Sequence, residues 1–114
     1  MHELSIALSI VEGAAEEAQK HEGATVEVVH LKLGKFSGVV KDALLFSWEI
    51  ATQGTRLENA LLEIEEIPLV VFCESCGENK QPAAINNLVC PTCEKPTPEI
   101  ISGRELQVTA LEII

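Results

Sequence analysis

ELQVTALEII, residues 105–114, is the stretch on which the fold turns. It is short and aliphatic, and it reads as a β-strand. One strand has no stable sheet of its own, so this one must pair with a strand placed earlier in the chain. Two candidates lie upstream. In TVEVVHLKLG, residues 25–34, Val29, Leu31 and Leu33 alternate with His30 and Lys32 as a half-buried strand requires. The alternation breaks over Val26 to Val28, which fits either a bulge or burial on both faces. ALLEIEEIP, residues 60–68, reads as another strand, closed by Pro68, which has no ladder donor. Residues 69–103 then form an insertion between two strands of one sheet, not a tail.

The remaining regular pattern is helical. Leu4, Ala7, Leu8, Val11, Ala14, Ala15 and Ala18 recur at helical spacing, which predicts a helix over 3–21 that stops near Gly23. KFSGVVKDALLFSWEIATQGT, residues 35–55, predicts a second helix, with Ser37 as candidate N-cap and Val40, Leu44, Ser47, Trp48 and Ala51 near one face. Phe46 and Trp48 are expected in the core. Gly54 marks the stop. No internal repeat or low-complexity tract occurs.

At 114 residues the chain is one compact unit, or one unit with a small appendage. Hydrophobic residues make up 46% but aromatics only 4%, so the core must be aliphatic. A formal net charge of −10 argues against nucleic acid, whose phosphates call for clustered Lys and Arg. The N-terminal stretch lacks the basic and long apolar regions of a signal peptide, and no apolar run approaches a membrane span. A cytoplasmic protein with reduced thiols is expected.

FCESCGENKQPAAINNLVCPTCEKP, residues 72–96, carries the strongest chemical signal. Cys73 and Cys76 form one Cys-x-x-Cys pair and Cys90 and Cys93 another, with thirteen residues between the pairs. Each pair presents two thiolates about one metal radius apart, and two such knuckles complete a tetrahedron. Gly77 and Pro91 are residues suited to these turns. Four soft sulfurs select zinc or iron over harder ions, and spacing leaves both open. The colour of the protein separates them, since a ferric tetrathiolate is red and zinc colourless. Two pairs in one loop and a reducing compartment speak against a redox dithiol or disulfide. A closed centre without a general base is structural, and with a divalent ion it contributes a formal charge of about −2.

The first residues, MHE, pose a separate question. A bulky second residue generally blocks removal of Met1, which would leave a free α-amine beside the His2 imidazole. With the amides of His2 and Glu3, these make four nitrogens able to lie in a plane, as Ni(II) or Cu(II) prefers. The first amides of a helix have no intrahelical acceptor, so their use as ligands breaks no helical bond. Reference pKa values of about 7.7–8.0 for an α-amine and about 6.5 for an imidazole mean that mild acid should release the metal. The plainer reading of His2 is an exposed side chain on a frayed end, and of Glu3 an acid complementing the helix dipole. His21 reads as a helix-end residue and His30 as a strand-face residue. Glu63, Glu65 and Glu66 read as the solvated face and end of a strand. No nucleophile triad, phosphate loop or paired-carboxylate motif suggests an enzyme.

MHE at the start, LKLGKFSGVVKDALLFSWEIATQGT in the middle, CESCG and CPTC, and SGRELQVTALEI at the end together resemble the HypA/HybF family. These are nickel metallochaperones for maturation of [NiFe]-hydrogenase, and the likeness is colinear over essentially the whole chain. It implies an α+β fold of two helices on a small mixed sheet, with a zinc-ribbon-like domain inserted before the last strand. The domains would be 1–68 plus 104–114 for nickel and 69–103 for zinc. The resemblance also implies nickel at the His2 imidazole with the Met1 amine and the His2 and Glu3 amides, and zinc at Cys73, Cys76, Cys90 and Cys93. Implied partners are the nucleotide-hydrolysing protein HypB, the hydrogenase large subunit and, in some organisms, urease maturation factors. Some members carry histidines beside the knuckles. No His lies in residues 69–103, which favours a constant four-sulfur centre. The rival reading is a zinc-ribbon adaptor that joins proteins and binds no nickel; a nucleic-acid zinc ribbon is disfavoured by charge.

Overall fold

The computed structural model describes residues 2–114. Its elements in chain order are α1 (His2–Gln19), β1 (Val26–Gly34), α2 (Lys41–Thr52), β2 (Leu61–Ile67), β3 (Val70–Cys73), β4 (Glu78–Lys80), β5 (Glu99–Ser102) and β6 (Leu106–Ile113). The fold is α+β. One three-stranded sheet has the order β2-β1-β6 and the other the order β4-β3-β5. The last strand therefore does pair with an early one, beside the central β1. Thr25 and Ile114 exchange both backbone hydrogen bonds, at 3.1 and 3.0 Å, the mark of an antiparallel pair.

The chain divides into two compact units. The first comprises the chain up to Lys32 with Val39–Glu65 and Gln107–Ile114; the second comprises Leu33–Gly38 and Glu66–Leu106. Leu33–Gly38 belongs with the second unit because its backbone is tied there. Gly34 N–H donates to Glu105 O (2.7 Å), Lys35 N–H to Ile67 O (2.9 Å) and Phe36 N–H to Gly103 O (2.7 Å). The approach is too close for any side chain at Gly34, since a methyl group there would run into the Gly103 carbonyl.

The first unit holds the main core. Ala7, Val11, Ala14 and Ala18 of α1 and Leu44, Trp48 and Ala51 of α2 are buried with Val29, Leu31, Leu57, Ala60 and Leu62. Small alanines along α1 let it pack closely, and the core is aliphatic apart from Trp48. The Trp48 indole N–H donates to Ala60 O at 2.9 Å, which satisfies a polar group at no exposed position.

Several expectations for the helices are corrected. α2 begins at Lys41, so its N-cap is Val40 and not Ser37; the cap lacks a side-chain hydrogen bond of its own. Instead the Val40 N–H donates to the Glu3 carboxylate at 3.3 Å. Leu8 is 50% exposed and Phe46 61% exposed, so neither belongs to the core. At about 100° per residue, Leu8 lies a quarter-turn from Ala7 and Phe46 lies more than half a turn from Leu44. β1 is buried at Val26 and again at Val29, Leu31 and Leu33. Burial at Val26 and Val29 with Glu27 exposed between them is the break in alternation read from the sequence.

In the second unit β3 is central. It pairs antiparallel with β4 (Val71↔Lys80, Phe72↔Asn79, Cys73↔Glu78) and with β5 (Val71↔Ile100, Phe72↔Glu99), with a register shift between Val70 and Val71. Few side chains are buried here: Leu33, Leu69, Val71, Cys73, Cys90 and Thr97. No described helix is long and apolar enough to cross a membrane.

Candidate metal centre

β3 delivers Cys73 at its last position, and the chain turns at once through Cys76 into β4. The turn closes by the Gly77 N–H donating to Cys73 O at 2.8 Å, with Gly77 at φ 68°. The second knuckle repeats the construction. Glu94 N–H donates to Cys90 O at 2.9 Å, with Glu94 at φ 60°. In both knuckles, then, the residue after the second cysteine adopts the left-handed conformation. Sequence reading found Gly77 and missed Glu94, although superposing CESCG on CPTCE shows that the two occupy one role. The second knuckle is further anchored by Thr97, whose backbone N–H (2.9 Å) and hydroxyl (2.8 Å) both donate to Leu88 O.

The four Sγ atoms all lie within 4.8 Å of one another. Cys73 Sγ is 3.5 Å from Cys93 Sγ, and Cys76 Sγ is 3.9 Å from Cys90 Sγ. Each of these short edges joins one knuckle to the other. All four cysteines are free thiols, and 3.5 Å is far beyond a disulfide. A tetrahedron with metal–sulfur arms of about 2.3 Å has edges of about 3.8 Å. The donor set and its spacing therefore fit a four-coordinate, thiophilic ion. Cys73 and Cys90 are buried and Cys76 and Cys93 half-buried.

Without an ion the thiols differ in acidity. The backbone amides of Cys93 and then Thr92 draw Cys90 down to about 6. The neighbouring Cys73 thiol, then burial, push Cys76 up to about 12. At Cys93 the Lys95 amide favours the thiolate, but burial and the adjacent Cys73 and Cys90 outweigh it and the thiol is raised. A cation would remove this conflict by binding four thiolates at once.

The amino-terminal residues are placed differently. α1 begins at His2, which is exposed, and Glu3 is half-buried with its carboxylate at Val40. Met1 lies outside the described residues. His21 sits 3.9 Å from Glu17 on the same exposed surface. His30 Nε2 lies 2.6 Å from Glu112 Oε2, and His30 lines a shallow cavity of about 360 Å³ with Glu63, Glu65 and Thr109. Among the described residues the four cysteines are the one group of three or more His, Cys, Asp and Glu side chains close enough to share an ion.

Comparison with known proteins follows the same lines. A family model described as "Hydrogenase/urease nickel incorporation, metallochaperone, hypA" matches residues 1–113. A protein named hydrogenase maturation factor HypA from Roseiflexus sp. (strain RS-1) is 52% identical over 112 residues, covering 98% of this chain and 91% of that protein. Its namesake from Chloroflexus aurantiacus (strain J-10-fl) is 46% identical over 112 residues, 98% of each chain. The solution structure of the Ni metallochaperone HypA from Helicobacter pylori shares the fold with a TM-score of 0.66 at 24% identity, covering 98% of this chain and 97% of that one. A second solution structure of a HypA protein gives 0.71 at 25% identity, over 100% and 97%.

Proposed function

Because the chain belongs to the HypA family of hydrogenase/urease nickel-incorporation metallochaperones, we propose that it carries Ni(II) at its amino terminus and hands it on for assembly of the [NiFe]-hydrogenase active site. The family is one of maturation factors, and the chain is not an enzyme. The single observation that carries the nickel reading is the family match across residues 1–113; the exposed His2 that opens α1 agrees with it. The His2 imidazole and the Met1 amine bind the ion, with the amides of His2 and Glu3 completing a plane of nitrogens. These amides belong to the first turn of α1 and have no intrahelical acceptor, so they are spare. The Glu3 carboxylate holds the start of α1 against the N-cap of α2 and leaves the Glu3 amide for the metal.

Cys73, Cys76, Cys90 and Cys93 hold a structural zinc ion in this proposal. The edge lengths fit, and the small apolar content of the second unit makes a metal staple physically reasonable. The residues divide accordingly into a nickel-binding part around the helices and a zinc-binding part around the knuckles. The expected partners are a HypB-type nucleotide-hydrolysing protein and the hydrogenase large subunit in the cytoplasm, with urease maturation factors as a further route. Twelve acidic against four basic side chains give the first unit a formal −8 of the total −10, so partner surfaces that meet it should be basic. Exposed Glu63 adds to the field that draws a cation.

Nickel titration of the untagged protein tests the terminal site. His2→Ala and a variant with one residue added before Met1 should both lose stoichiometric nickel. Glu3→Pro is the sharper variant, because proline is tolerated in the first helical turn but removes the amide. It should keep the helical circular dichroism and lose nickel, whereas Glu3→Gln should bind as the parent does. Parent-like binding by all four variants would leave the adaptor without nickel as the better description.

A further inference from the structure

We propose that Lys80 is a positioning residue of the four-cysteine centre, its ammonium held across the two knuckles where it offsets part of the thiolate charge. This rests on the zinc reading above. Lys80 ends β4, the strand that leaves the first knuckle, and reaches the second: its Nζ donates to Thr92 Oγ1 at 3.2 Å. Thr92 is itself within the Cys90–Cys93 knuckle, and its backbone N–H points to Cys90 Sγ at 3.4 Å. Glu78 Oε1, 2.6 Å from Nζ, also holds the ammonium. The Lys80 side chain is only 18% exposed, although lysine ordinarily keeps its head in water.

The physical case is charge. A tetrathiolate with a divalent ion carries a formal −2 in a small unit, and the field of that charge reaches any cation nearby. Glu78 first, and then the Cys76 and Cys90 sulfurs through their charge, raise the Lys80 pKa and keep it protonated. Glu78 is solvated over more than half its side chain, so water screens its charge more than that of the buried Cys90 sulfur. Lys80 also links the two turns by a side-chain hydrogen bond, beside the sulfur contacts that cross between them. Losing it leaves the thiolates more basic, which eases their protonation, and frees the knuckles to part, which opens the ion to chelators.

The test is the rate at which the zinc-loaded full-length protein gives up zinc to excess chelator at fixed pH, with zinc content measured first. Outer partners of metal ligands typically matter by ten- to a hundredfold in affinity, so Lys80→Gln should release zinc about tenfold faster than the parent. Lys80→Arg, which keeps the charge, should restore most of the difference. Thr92→Val, which removes the acceptor and leaves β4 unaltered, should fall between parent and Lys80→Gln, and it serves if the Gln variant fails to fold. Equal rates for parent, Lys80→Gln and Thr92→Val overturn the role of Lys80 alone, as does an Arg variant no slower than the Gln variant. A parent protein purified without zinc overturns this inference together with the zinc reading.

Discussion

Glu94 bears a conformational cost that its counterpart Gly77 avoids. Both residues follow the second cysteine of a knuckle, at φ 60° and 68°, and an L-side chain in that region is strained by roughly 1–2 kcal/mol. Part of that is returned as the entropy a glycine would lose. Glu94→Gly should therefore stabilise the metal-loaded protein by about 0.5–1 kcal/mol, read as a rise in Tm with unchanged zinc content. A second misfit sits in the core. Ser47 Oγ is buried and, among the described residues, has no hydrogen-bond partner. Ser47→Ala should stabilise the fold by about 1 kcal/mol in denaturant titrations, because it removes an unmet desolvation cost and improves helix propensity. Ser47 was legible as a residue on the buried face of α2; that its hydroxyl goes unanswered was not.

At the level of elements, periodicity located both helices and three of the strands, and it failed where side-chain type was allowed to override angle. Leu8 and Phe46 are apolar, yet their positions around the helix point away from the stripes through Ala7 and Leu44. Ser37 has good capping chemistry, but the chain at 33–38 is committed to backbone pairing with 103–105 and Ile67, and α2 starts only at Lys41. That pairing gives the LGKFSG and SGRE stretches their physical sense. Gly34→Ala would drive a methyl group into the Gly103 backbone, where no flexible side chain can yield. We expect a loss of about 3 kcal/mol, seen as a lower denaturant midpoint, against near-neutral behaviour of Gly13→Ala, whose position is open.

For the whole molecule, metal and proton are linked. Cys90 lies near 6 and is ionised at pH 7.5, whereas Cys76 near 12 and the raised Cys93 still carry protons. With zinc at the four cysteines, as proposed, its need for thiolates would expel the protons of Cys76 and Cys93. Affinity should accordingly rise with pH and fall as pH drops, with the weakest hold below the Cys90 value. Calorimetric titration of the metal-free protein in two buffers of different ionisation heat should show at least these two protons released per zinc at pH 7.5. Release of none would contradict the thiol acidities described.

By itself the sequence determined that there would be two helices, a sheet completed by the final strand, and four cysteines gathered as two knuckles, because these follow from local periodicity and from ligand spacing within a few residues. Only the tertiary structure decided that Gly34 must lack a side chain, that Glu3 caps α2 and that Lys80 reaches Thr92. Those pairs are separated by 12 to 69 residues along the chain. No local pattern encodes contacts across such separations; they exist only once the helices and strands have packed and brought those residues together.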